Sequence, residues 1–145
     1  MKTIKLISTQ VAEYWEVIKF GATTADEVDP KDLQPYLVEL LHALLSDKAQ
    51  CWMRLDESRT VIAILITRII EDKITTDRHL YLQCVFSYRE IPIDAWKSDF
   101  ALLVQFAKQE NCRKIKFDSR YPKIWEMAKY FGCREAHRSF TYGLE

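Results

Sequence analysis

The chain has 145 residues, enough for one domain with a real core, and its 48% hydrophobic and 29% charged residues are ordinary for a globular protein. Twenty-one basic residues balance 21 acidic ones, so the formal net charge is zero. A nucleic-acid binder needs a basic surplus to neutralise phosphates, and no nucleic-acid partner is expected. The longest strongly apolar run, residues 61–66, is too short to span a bilayer, so no membrane association is expected either.

The first residues turn polar without an apolar signal region, and the chain is expected to stay in the cytoplasm of a cell or an infected host. Four cysteines stand at 51, 84, 112 and 133 with no C-x-x-C pair, so they read as free thiols rather than metal ligands. Cys51 and Cys84 fall in strand patterns and read as small core residues.

In chain order, residues 3–7 alternate polar and apolar and predict a first strand. Thr9 is placed to cap a helix carrying Val11, Tyr14, Trp15 and Ile18 at i, i+3, i+4 and i+7. Residues 21–29 read as a polar loop. Leu33, Leu37, Leu40, Leu41, Leu44 and Leu45 predict a second helix with one apolar face. Two starts fit it: an Asp29-Pro30 cap with a kink at Pro35, or a start near Pro35 itself.

A three-stranded meander follows, over residues 50–55, 60–70 and 79–88. Its middle strand is apolar on both faces, as a strand covered on both sides should be. Asp94 is expected to cap a third helix, whose stripe is Trp96, Phe100, Leu103 and Ala107. Residues 114–118 read as a short strand with Ile115 and Phe117 inward and Lys114 and Lys116 on a solvated face. Ile124, Met127, Ala128 and Phe131 define a last helix stopped by Gly132. Residues 135–144, with Phe140 and Tyr142, read as a closing strand.

The expected order is therefore β-α-α-β-β-β-α-β-α-β in one α/β (α+β) domain spanning 1–145. Its sheet should be mixed, mostly antiparallel and twisted, with helices on both faces. No P-loop, nucleophile elbow or His cluster with metal-ligand spacing is present.

This order resembles the GNAT superfamily of acyl-CoA-dependent N-acyltransferases along nearly the whole chain. The meander of residues 50–88 leading into an amphipathic helix carries part of the likeness. So does Trp125-Glu126-Met127-Ala128-Lys129-Tyr130-Phe131-Gly132-Cys133, which is similar to the family's final helix and turn. In overall texture, with no motif, the chain also resembles short GNAT-like proteins encoded among the structural genes of tailed bacteriophages.

The resemblance implies a phosphate-binding run Gln/Arg-x-x-Gly-x-Gly/Ala, where backbone N–H groups and a helix N-terminus hold the coenzyme pyrophosphate. The run here is Arg89-Glu90-Ile91-Pro92-Ile93-Asp94. Arg89 matches. Pro92 has no N–H to donate, and Asp94 sets a negative charge where phosphates would sit. The family's frequent proton-donating Tyr falls at Ala128, with Tyr130 rotated roughly 200° around the helix. The strand before the loop offers His79, Tyr81, Gln83 and Ser87 but no carboxylate base.

The resulting expectation is a GNAT-fold module that has lost acetyl-CoA binding, has no cofactor, and binds a protein partner or a second copy of itself. It could be an accessory or structural protein of a phage particle. The alternative is an N-acetyltransferase with a divergent loop, in which Arg89 contacts phosphate and Gln83 or Ser87 sits near the thioester. The family's V-shaped cleft would then lie beside Gln83, Val85, Ser87, Tyr88, Phe117 and Ser119.

Overall fold

The computed structural model describes residues 2–144. Five strands form one sheet in the order β1-β2-β3-β4-β5: β1 Lys2–Lys5, β2 Ala49–Leu55, β3 Val61–Glu71, β4 Arg78–Ser87 and β5 Lys114–Lys116. The first three junctions are antiparallel and the β4–β5 junction is parallel. This is the mixed, mostly antiparallel sheet that the sequence predicts.

Strand alternation sends side chains to two separate cores. Cys51, Met53, Ile64, Ile66 and Cys84 pack with Ile18, Ala22, Leu40 and Leu44 on one face. Those partners come from α2 (Trp15–Ala25) and α3 (Leu33–Leu45). Trp52, Leu65 and Leu80 pack on the other face with Ile91, Trp96 and Leu103, the last on α4 (Lys97–Gln109). β3 is apolar on both sides because it is covered on both sides. A last helix, α5 (Pro122–Tyr130), places Met127 and the following Phe131 against this second core.

The structure corrects the boundaries of the N-terminal region. The residue before the four-residue α1 (Ser8–Val11) is Ile7, so Thr9 lies inside the helix and does not cap it. The 21–29 segment is not all loop, because α2 continues through Gly21 to Ala25. Gly21 is needed there: a Cβ would come within 2.5 Å of Ile64 Cδ1, so the helix can lie close on β3. Asp29 caps a single 3-10 turn, Pro30–Asp32, by accepting from the Lys31 N–H at 3.0 Å. α3 then starts at Leu33, which puts Pro35 in the first turn, where its N–H would have no intrahelical partner anyway.

Two ends of the leucine stripe, Leu33 and Leu45, are exposed, while Leu40 and Leu44 are buried. Asp94 does not cap the third helix. It lies in a 3-10 turn, Ile93–Trp96, preceded by Pro92, and α4 begins after Trp96. The expected closing strand is also absent: residues 134–144 belong to no helix or strand and are all exposed. Alternation alone made that segment read as a strand, and no neighbouring strand completes it.

Candidate functional site

Parallel pairing joins His79 to Lys114, Leu80 to Ile115 and Tyr81 to Lys116, and β4 then runs on to Ser87 without β5 beside it. The two strands thus part company at Leu82 and Phe117. At the same level the β3–β4 register shifts. Ile66 faces Cys84 and Thr67 faces Leu82, which leaves Gln83 as the extra, bulged residue. A bulge next to a divergence of strands re-aims side chains into the gap.

The predicted cleft residues divide between two faces. Val85 and Phe117 face α4 and α5, where they line a cavity of about 40 Å³ with Phe100, Met127, Ala128 and Phe131. Small-molecule sites usually measure about 300–1,000 Å³, so this space holds little more than a few waters. Apart from Asp99 its walls are apolar, and two of them, Phe100 and Phe131, stack directly on each other at 4.7 Å. Ala128, where the family resemblance implies a tyrosine, is one of these walls. Tyr130 is half exposed and meets Phe131 edge-on at 5.1 Å.

Gln83 and Tyr88 look to the opposite face. The Gln83 amide donates to Asp26 Oδ2 at 3.1 Å, and its carbonyl oxygen accepts from Arg68 Nε. Arg68 also grips Glu39 of α3 with two bonds of 2.8 and 2.7 Å. Asp26 accepts a second bond, from the Tyr36 hydroxyl at 2.5 Å. Burial, then the bond to Asp26, pushes the Tyr36 phenol well above its ordinary range. The Tyr88 hydroxyl donates to the Val17 carbonyl, and burial raises its pKa to about 12.

The loop after α2 spans the gap between the parted strands. Asp26 holds β4 through Gln83. Its neighbour Glu27, at a left-handed φ of 48°, accepts from the Tyr121 hydroxyl and pairs with Arg120 at 2.6 Å. On the β5 side, Tyr81 donates to Asp118 at 3.0 Å, and burial followed by that bond raises its phenol to about 12. Ser119 is occupied within its own turn: its hydroxyl accepts from the Tyr121 N–H at 3.1 Å and its carbonyl from Trp125 Nε1 at 2.6 Å. Ser87 is half-buried at the end of β4, opposite Ala63.

The run leading to α4 is anchored by an apolar side chain. Ile91 is 3% exposed and sits in the second core. Pro92 precedes the 3-10 turn and offers no N–H, and its carbonyl accepts from Ala95 at 3.0 Å. Arg89 reaches back to Asp56 in the β2–β3 turn at 3.7 Å and is half exposed.

Two groups of consequence were not apparent from sequence. Asp26 supplies a carboxylate beside β4 that the strand itself lacks, 57 positions away in the chain. Asp99 is 2% exposed and pairs with the buried Arg54. It also accepts from the Thr3 hydroxyl, which ties α4 to β1 and β2. Lys114 and Lys116 converge on Asp77 at 3.6 and 3.5 Å, so the densest basic run is partly neutralised at the sheet edge. Among the described residues no group of three or more His, Cys, Asp or Glu could hold a metal ion, and no helix is long and apolar enough to cross a membrane.

No protein-family model matches the chain, and no curated protein matches it in sequence. Solved structures do match it in shape. A predicted acetyltransferase from Clostridium acetobutylicum, solved with acetyl-CoA, superposes with a TM-score of 0.73 at 16% identity, over 99% of this chain and 96% of that one. A ribosomal-protein-alanine N-acetyltransferase from Brucella melitensis biovar Abortus 2308 gives 0.69 at 12% identity, over 99% of this chain and all of that one. An aminoglycoside N-acetyltransferase in complex with CoA gives 0.69 at 16% identity, over 98% and 93%. Identities this low carry the fold and nothing finer: from end to end the chain has the mixed α+β GNAT fold of these acetyltransferases.

Proposed function

We propose that this GNAT-fold chain is a non-catalytic binding module whose cleft is closed by its own side chains instead of being held open for acyl-CoA. One observation carries the reading: the gap between β4 and β5 is occupied from both faces. Phe100, Phe117 and Phe131 line a cavity of only about 40 Å³ on the α4–α5 side, and the Asp26–Glu27 loop bridges the gap on the other. The approach to α4 supports the same reading. An anion there would meet Pro92, which has no N–H, and the carboxylate of Asp94. Arg89, the one residue matching the family's phosphate-binding run, is directed to Asp56.

The narrower form of the proposal makes the chain an accessory protein of a tailed-phage particle that works through a protein partner. It rests on overall sequence texture. Capsid or tail genes on either side of its gene would support it, and antibiotic-resistance or metabolic genes there would count against it.

Titration with acetyl-CoA, followed by thermal melting, tests the main proposal. A ligand at a hundredfold excess over its dissociation constant adds about 2.7 kcal/mol of stability. The expected result is no shift at millimolar acetyl-CoA. A saturable rise in melting temperature overturns the proposal.

A second reading, an N-acyltransferase with a divergent loop, is favoured by Asp26. This carboxylate lies at the bulge of β4, within 3.1 Å of Gln83. It could take the proton from an amine whose nitrogen attacks a thioester carbonyl, the thiolate leaving and regaining a proton from water. Acetylation of an amine by the wild-type chain, abolished in Asp26→Asn with acetyl-CoA binding unchanged, would establish it.

A further inference from the structure

α3 carries an apolar seam on the side it turns away from the sheet. Leu40, Ala43 and Leu44 point inward to the first core. Val38 and Leu45 are 58% and 50% exposed, and Leu41 between them is half-buried. With the exposed Gln34 they fall at 34, 38, 41 and 45, a 4-3-4 spacing. That is the spacing of the a and d positions of a coiled coil, a seam that another helix covers. Large apolar side chains left half in water along one such line mark a contact surface. α3 packs on β2, towards the β1 end of the sheet, so the seam is remote from β5.

We propose that this seam joins two copies of the chain through an antiparallel α3–α3 pair about a two-fold axis. Three observations select a second copy. First, the seam reads the same from either end. In an antiparallel pair centred between positions 39 and 40, Val38 meets Leu41 of the other copy and Leu45 meets its Gln34. Each contact occurs twice, as a self-complementary two-fold interface requires. Second, the charges at the two ends agree with that direction. Exposed Lys31 and Asp32 precede α3, and exposed Asp47 and Lys48 follow it. The antiparallel pair brings Lys31 within reach of Asp47 and Asp32 within reach of Lys48. A parallel pair would set each of these charges against its own copy, like on like. Third, the chain has a formal net charge of zero, so two copies approach without long-range repulsion.

α3 has 13 residues, so the paired helices share about 20 Å of length. A contact of this size belongs to the weak, reversible class of interfaces. It does not depend on what the gap between β4 and β5 binds.

Sedimentation equilibrium on the full chain, from micromolar to millimolar concentration, tests the association, and cysteine cross-linking tests the register. The expected result is a mass that rises with concentration from one chain towards two. The double variant Val38→Glu, Leu45→Glu should stay at one chain throughout, with an unchanged far-UV spectrum. Under mild oxidation the double variant Gln34→Cys, Leu45→Cys should form covalent dimers above the level set by the wild type's own four cysteines. Leu45→Cys alone should not. The two copies of position 45 stand about eleven residues apart along the pair, roughly 16 Å, and a disulfide needs Cα atoms within about 7 Å. A one-chain mass for the wild type at millimolar concentration overturns the proposal. A dimer that survives Val38→Glu, Leu45→Glu places the contact on another surface and equally defeats it. Equal cross-linking by Leu45→Cys and by the double cysteine variant overturns the antiparallel register.

Discussion

The Gln83 side-chain amide donates to the Asp26 carboxylate at 3.1 Å, joining the bulge of β4 to the loop that ends α2 across 57 positions of sequence. The bond sits where β4 and β5 separate, and Asp26 also receives the Tyr36 hydroxyl. Three elements therefore meet on one carboxylate: the α2 loop, α3 and β4.

Removing that carboxylate leaves the Gln83 amide without its acceptor and the Tyr36 phenol with only the Ala22 carbonyl at 3.5 Å. Asp26→Ala is expected to lower stability by about 1–3 kcal/mol, the usual cost of stranding partly buried hydrogen-bonding groups. Urea unfolding measures it. A loss below about 0.5 kcal/mol, the range of an ordinary surface substitution, would show that the junction is decorative.

The Arg54–Asp99 pair is the deeper electrostatic feature, with side chains 8% and 2% exposed. Breaking a buried pair from one side costs up to about 3–5 kcal/mol, and Arg54 also donates to the Ala95 carbonyl at 2.8 Å. Asp99→Ala is expected to fall in that range by equilibrium denaturation. Asp99 also holds Thr3, so hydrogen exchange should speed up first in β1. Unchanged protection there would mean that β1 is held by other contacts.

Glu39 gives a prediction with a definite pH sign. The hydrogen bonds from Arg68 hold its carboxyl below the ordinary value of 4.5. A group with a depressed folded-state pKa contributes stability that is fully present above 4.5. That contribution is lost as pH falls through the lower, folded-state value. Glu39 is 60% exposed, so solvent screening keeps the pair to under about 1 kcal/mol. Glu39→Gln should be slightly less stable than wild type at pH 7, with the gap closing as pH falls below 4.5 and through the depressed folded-state value. A gap that widens on acidification contradicts the assignment.

Much of the fold was legible in the chain because local periodicity and burial agree. The two-sided apolar text of β3 required layers on both of its faces, and Cys51 and Cys84 were placed correctly as core residues. Of the stripe predicted for the third helix, Leu103 and Ala107 on α4 and Trp96 in the turn before it are buried, and Phe100 is half-buried. Where periodicity spoke without a partner it misled: residues 135–144 alternate like a strand but are outside the sheet, because a strand needs a neighbour that its own text cannot specify. Asp94 failed as a cap because the chain enters α4 through a 3-10 turn, which starts one residue after Pro92.

The sequence by itself determined the order of the five strands and of the main helices as far as α5, the two-faced sheet and the poverty of N–H donors before α4, since each depends on residue type and near neighbours. Only the tertiary structure decided what fills the gap between β4 and β5. Phe100 meets Phe131, Asp26 meets Gln83 and Glu27 meets Arg120 across large separations in the chain. Such meetings depend on how helices settle on the sheet, and no local pattern encodes them.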